Sequence, residues 1–142
     1  MSIDLKQNNM KVDIILSDGF VMTELSGVVD VLRLANRVVD KKMFTFRYVS
    51  PEAGVVKSSA DTWLNASALS NSPDADIAVF LGNSDLNFTS REIEKAVHKY
   101  RYTNAKVVLL AEAAAIYISA NSDDGFGHTT HWENRLLLEE RS

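Results

Sequence analysis

The chain has no cysteine among its 142 residues. Disulfides, thiolate metal sites and covalent catalysis through a thiol are therefore excluded within it. Only two prolines and six glycines are present, too few for a collagen-like or low-complexity segment. There is no excess of basic charge either: the net charge is −4 and the pI about 5.3. Such a chain grips a phosphate backbone poorly on its own. No apolar run approaches the roughly twenty residues that span a bilayer, and the opening Met1-Ser2-Ile3-Asp4-Leu5-Lys6-Gln7-Asn8-Asn9 carries no apolar signal region. A membrane partner is not expected, and a cytoplasmic location is the default.

What is present is an ordinary globular composition, 46% hydrophobic and 24% charged, in a length that suits one domain with a sizeable core. Residues 1–10 read as a flexible tail ahead of a domain over 11–142. Val12 to Leu16 is a short β-branched strand stopped by Ser17-Asp18-Gly19. A helical period follows from Thr23, a candidate N-cap, to Val38. Leu25, Val28, Val29 and Leu32 share one face, and Val31, Leu34, Ala35 and Val38 widen it. A face that wide predicts burial on more than one side, against a sheet and a partner subunit. Asp40-Lys41-Lys42 then ends the helix in solvated charge.

Alternation marks 43–49 as a strand, and Val55–Ser58 with Thr62–Asn65 as a short hairpin. Trp63 is expected in the core, at the pocket or at an interface. Asn71-Ser72-Pro73-Asp74 is a turn, and Asp76 to Gly82 the cleanest buried strand. Thr89-Ser90-Arg91-Glu92 is a capping box. It opens a helix with Ile93, Ala96, Val97 and Tyr100 on its inner face and His98 on its polar side. Lys106 to Leu110 is another strand, and Glu112 to Ala120 a short helix. The Gly125-Phe126-Gly127 stretch is a turn rather than a dinucleotide fingerprint. Strands alternating with helices predict a flavodoxin-like three-layer α/β sandwich around a mostly parallel sheet. In such sheets a binding site lies outside the carboxyl ends of the strands. Here those ends are Asp18-Gly19, Gly82-Asn83 and Ala111-Glu112.

With Ser17-Asp18-Gly19-Phe20, Glu24-Leu25-Ser26-Gly27 leading to Asp30-Val31-Leu32, Arg47-Tyr48-Val49-Ser50-Pro51 and Thr129-Thr130-His131-Trp132 in view, the chain resembles a known group. It is similar to the amidotransferase-like sensor domain of AraC-type transcriptional regulators, within the ThiJ/PfpI superfamily, over nearly all of residues 11–135. The resemblance implies a last strand and helix beyond Ser142, so that the domain is C-terminally incomplete. It also implies two helix-turn-helix motifs outside this chain, through which alone DNA would be a partner. Where the superfamily's nucleophile turn reads Cys-Thr-Gly-Ala-Phe, spacing back from His131 places Ala111, Glu112 and Ala113. The superfamily's Pro-Gly-Gly corresponds to Leu81-Gly82-Asn83, and the first helix carries Val28 where relatives have proline. The acid that neighbours the cysteine in those relatives corresponds to Glu24.

No catalytic residue is therefore expected, since an alanine methyl cannot attack. A degenerate pocket is expected instead, with Glu24, Gly82, Asn83, Ala111, Glu112 and His131 as ligand-binding residues. Glu24 reads equally as a first-turn residue that complements the helix dipole. Glu112 reads equally as a plain cap, and His131 equally as a structural histidine bonded to backbone. A metal on His128, His131 and Glu24 is a weak alternative, and neither metal nor cofactor is expected. The implied function is a non-catalytic domain that binds an unknown small-molecule effector and forms a homodimer. The alternatives are a ThiJ/PfpI-type hydrolase or lyase that works without a thiol and a scaffold with no ligand.

Overall fold

The structure is a computed structural model, and it describes residues 9–39, 43–83 and 90–110. The elements are β1 (Met10–Ile15), α1 (Met22–Val38), β2 (Phe44–Ser50), β3 (Gly54–Lys57), β4 (Trp63–Ala68), β5 (Ile77–Phe80), α2 (Ser90–Tyr102) and β6 (Lys106–Leu109). Among the described residues these strands form one sheet in the order β3-β4-β2-β1-β5-β6. Every neighbouring pair is parallel except the β3–β4 hairpin. The mostly parallel α/β sheet read from the sequence is thus observed.

The strand pattern explains why two helices are needed. Val12, Ile14 and Leu16 point to one side of the sheet, where they join Phe20, Val79 and Leu81 under Leu25 of α1. Ile15, Val49, Ala78 and Phe80 point to the other, under Ile93, Ala96, Val97 and Tyr100 of α2. Successive side chains on a strand alternate sides, so an apolar run such as Ile14-Ile15-Leu16 requires cover on both. Burying each such side chain contributes about 1.5–3 kcal/mol. Phe80 and Tyr100 meet edge to face, with ring centroids 6.0 Å apart. The inner face expected of α2 is the buried one, and His98 is exposed.

α1 packs through Leu25, with Val28, Val29 and Leu32 partly buried beside it. Asn36 clips its far end to the sheet: its Nδ2 donates to the Phe44 carbonyl at 3.0 Å, and its Oδ1 accepts from the Phe44 amide at 2.8 Å. Thr23 is not the N-cap. The helix starts one residue earlier, Val21 stands at the cap in extended conformation, and no side chain caps it. The physical reason is a competing tertiary bond, since the Val21 amide donates to the Gly82 carbonyl at 3.2 Å.

The first strand also begins earlier than its β-branched run, at Met10, inside the expected tail. Pairing with Phe44 continues the ladder there. Trp63 is 68% exposed, so of its three expected places the core is excluded. It shares the outer face of the hairpin with Lys57, whose Nζ lies 6.0 Å from the ring centroid. Residues 1–8, Asp40-Lys41-Lys42, Thr89 of the capping box, the helix read from Glu112, the Gly125 turn, His128 and Trp132 lie outside the described residues.

One polar group interrupts the core beneath α2. Asp13 is 2% exposed in the middle of β1. Its Oδ1 accepts from Arg47 Nε at 2.8 Å, and its Oδ2 accepts from the Tyr100 hydroxyl at 2.7 Å. Arg47 stands directly opposite on β2. Burial pushes the Tyr100 hydroxyl far above the ordinary tyrosine range, and its bond to Asp13 adds to the shift. The bond to Asp13 likewise raises Arg47, against a smaller opposing effect of burial. At the surface, Lys11 holds Asp74 below the usual carboxylate range through a 3.0 Å bond.

Candidate functional site

The parallel strands end along one edge. Ile15 pairs with Val49 and Phe80, and Phe80 with Leu109, so the chain leaves β1, β2, β5 and β6 at the same rim. The Leu81 amide donates to Ile15 and the Leu110 amide to Phe80, which carries the ladder one residue further.

Above β1 the chain turns through Ser17-Asp18-Gly19-Phe20. The Phe20 amide closes the turn on the Ser17 carbonyl at 3.0 Å, and Gly19 has φ +88°, a conformation that favours glycine. The turn is tied to the β3–β4 hairpin. Gly19 donates to the Lys57 carbonyl at 2.7 Å, and the Lys57 amide donates back to Asp18 Oδ1 at 3.0 Å. Phe20 bridges both Ser58 and Asn83, and its ring is 1% exposed.

Three of the six expected ligand-binding residues meet at this rim. Glu24, in the first turn of α1, accepts the Gly82 amide on Oε1 at 2.7 Å. Because the Val21 amide donates to the Gly82 carbonyl, one residue just past β5 is held through both its N–H and its C=O by the start of one helix. The bond to a carboxylate is charge-assisted, and its geometry fixes the helix entry as well as the acid. Glu24 also complements the positive end of α1, so the plain structural role read from the sequence is filled here. Asn83 is 4% exposed. Its Nδ2 donates to Ser17 Oγ at 2.6 Å and to the Asp18 carbonyl. The other three, Ala111, Glu112 and His131, lie outside the described residues.

The sequence reading passed over the residues that the hairpin brings to the rim. Ser58, 3% exposed, accepts on Oγ from the Ala60 and Thr62 amides at 3.0 and 3.1 Å. The Thr62 hydroxyl lies 2.7 Å from Ser58 Oγ and 3.3 Å from Met22 Sδ at the start of α1. Turn composition marks the hairpin, but no local signal says that its tip reaches α1. Asp13 was passed over too, and it belongs to the sheet interior rather than to the rim.

Among the described residues no cluster of three or more His, Asp or Glu side chains can hold a metal ion, and no helix is long and apolar enough to cross a membrane. A surface groove on α2, lined by Asn71, Glu94, Lys95, His98, Lys99 and Tyr102, opens on the outer side of that helix, not at the rim. Chemically the described rim offers the carboxylates of Asp18 and Glu24, the amide side chain of Asn83 and the hydroxyls of Ser17, Ser58 and Thr62. All of these accept or donate hydrogen bonds, and none is paired with a base in the manner of a nucleophile.

No family model matches the chain, and no curated protein does. Solved structures do. The crystal structure of an AraC family transcriptional regulator from Pseudomonas putida superposes with a TM-score of 0.78 at 27% identity, covering 94% of this chain and 72% of that one. A DJ-1 superfamily protein from Agrobacterium tumefaciens gives 0.67 at 18% identity over 90% of this chain and 68% of that one. A ThiJ/PfpI domain protein from Brachyspira murdochii gives 0.68 at 13% identity, over 94% and 75%. These last two establish the fold alone. The chain has the flavodoxin-like fold of the DJ-1 and ThiJ/PfpI proteins, and its structural neighbours include an AraC-family transcriptional regulator.

Proposed function

We propose that this chain is the non-catalytic sensing and dimerisation domain of an AraC-type transcriptional regulator. The observation that carries the reading is its likeness to the Pseudomonas putida regulator across nearly the whole chain. A small effector binds at the strand-end rim, against Glu24, Gly82 and Asn83, with Ala111, Glu112 and His131 as further lining. DNA is contacted by a helix-turn-helix module attached to such a domain. The effector acts by binding one dimer arrangement more tightly than another, which is the only way a ligand can move that equilibrium. The absence of cysteine from the chain supports a binding role over thiol chemistry, with Ala111 at the nucleophile position.

The test is a thermal-shift screen of the chain against amino acids, amines and small organic acids. A ligand that binds only the folded state at a hundred times its Kd stabilises it by about 2.7 kcal/mol. That rise in Tm should be lost in Glu24→Gln. A parallel turnover screen on amides and aldehydes addresses the enzyme alternative. The sensing reading fails if no compound shifts Tm, or if Glu24→Gln responds like the parent chain.

A further inference from the structure

The groove on the outer side of α2 has a volume of about 470 Å³, which is the size of a small-molecule site. It is formed between the helix and the turn that follows β4. Glu94, Lys95, His98, Lys99 and Tyr102 come from α2, and Asn71 comes from the turn. The five helical residues lie in two rows. Glu94, His98 and Tyr102 are spaced by four, and so are Lys95 and Lys99. Residues so spaced are neighbours on a helix surface. Tyr102 is also three residues beyond Lys99, so its ring ends the groove where both rows meet. Glu94 stands at the other end, two turns or about 12 Å away.

Part of this lining has an ordinary explanation. Lys99 and Arg101 lie in the last turn of α2, where cations complement the helix dipole. That effect fades within one turn, and Lys95 lies two turns from the end. Neither Lys95 nor Lys99 forms an ion pair with another described residue, whereas Lys11 and Lys57 each hold a carboxylate. Lys99 is partly buried, so its stem runs along protein while its ammonium reaches outward. Tyr102 is 88% exposed, although Tyr100, two residues before it, is completely buried. One exposed ring on a surface is normal. An exposed ring beside two unneutralised ammonium groups in one concavity is a matched set, because a flat apolar body and a negative head each find a partner there.

We propose that this groove is a binding site, separate from the rim, for a small planar anion: an aromatic ring that lies on Tyr102 and carries a carboxylate or phosphate that meets Lys95 and Lys99. Asn71 and His98 supply hydrogen-bonding groups at its edges. Glu94 opposes negative charge at the far end, so the site selects a compact ligand whose charge sits close to its ring. The groove belongs to the face of the sheet opposite α1, and the proposal stands or falls independently of the effector rim.

The test is a titration of the full 142-residue chain followed by the NMR shifts of its backbone amides. Naphthoate probes the carboxylate form of the ligand and adenosine monophosphate the phosphate form; naphthalenemethanol and acetate are the controls. Either acid should give saturable shifts along α2 and at Asn71 and leave Gly82 unmoved, and the tighter of the two identifies the head group. Lys95→Met and Lys99→Met should each weaken binding by about threefold to fivefold. Tyr102→Ala should weaken it by about fivefold, and Glu94→Gln should tighten it. The uncharged alcohol, which lacks the head, and acetate, which lacks the ring, should both bind more weakly than naphthoate. The proposal is overturned if neither acid moves the α2 amides saturably, if the alcohol binds as tightly as naphthoate, or if affinity is indifferent to the lysine variants.

Discussion

α1 and α2 cover opposite faces of one sheet, and their outer surfaces are unlike. α2 buries Ile93, Ala96, Val97 and Tyr100 and exposes Arg91, Glu92, Lys95, His98 and Arg101. That is the pattern of a helix with one protein neighbour and water on its back. Tyr102, 88% exposed, is its single large apolar departure. α1 covers its face of the sheet less completely, with only Leu25 fully buried, and turns valines and a leucine outward. The way each helix is held differs as well. α2 is held from within the core, where Tyr100 in its last turn donates to the buried Asp13 carboxylate, and α1 at its two ends by Gly82 and Asn36. An inward anchor with a polar back suits a helix that closes a core. End anchors with an apolar back suit one that could pass a bias from the proposed effector rim to a proposed partner.

The interior anchor is where the contrast breaks most violently. Asp13→Ala leaves the Tyr100 hydroxyl with no acceptor under α2 and strips Arg47 of its main partner. Removing one member of a buried ion pair costs about 3–5 kcal/mol, and because the Arg47 side chain is 47% exposed the lower end applies, about 3 kcal/mol. Urea unfolding should show that loss as a lower midpoint with an unchanged slope. A change under about 1 kcal/mol would mean that the network is ornamental and that α2 is held by its apolar face alone.

The same anchor gives α2 an alkaline pH signature. Tyr100 is raised in the folded protein, by burial first and then by its bond to Asp13. A raised pKa means that the folded state holds the proton after the unfolded chain has released it. The stabilisation is therefore complete below the unfolded value, about 10 for tyrosine, and is lost as pH climbs above it. The loss is about 1.4 kcal/mol per pH unit for one proton. Unfolding midpoints measured from pH 9 to 11 should fall more steeply for the parent chain than for Tyr100→Phe. Parallel curves would show that Tyr100 releases its proton equally in both states.

Much of this architecture was legible locally. The β-branched runs of β1 and β5, the alternation of β2 and the spacing of Ile93, Ala96, Val97 and Tyr100 each reflect one side of a sheet or helix, and short-range patterns record that directly. What was not legible depends on register between distant segments. Asp13 is one acid in an apolar strand, and only the pairing of β1 with β2 sets it opposite Arg47. Thr23 has the composition of an N-cap but loses to Val21, whose amide finds Gly82 at the end of another strand. At the rim, Glu24 was singled out through family resemblance, and Gly82 and Asn83 through their place at a strand end. The clasp that joins Glu24 to Gly82 is a tertiary fact with no local trace, and so is the reach of Ser58 and Thr62 to Met22. Ala111 and Glu112 were placed by spacing back from His131 onto the superfamily's nucleophile turn, and His131 through the Thr129-Thr130-His131-Trp132 resemblance; all three lie outside the described residues.

The finest distinction between the helices rests on Gly27. In a protomer alone, Gly27→Ala should stabilise, since a methyl meets open space and alanine improves helix propensity by about 1 kcal/mol. That gain should appear in thermal or urea unfolding at concentrations where the chain is monomeric. If the outer face of α1 packs on a partner subunit, the methyl must also fit within that interface. The gain should then shrink or reverse as concentration rises through the dimer range. Equal stabilisation at every concentration would say that the backbone there is never approached. The outer face of α1 would then be a solvent face like that of α2, only less polar.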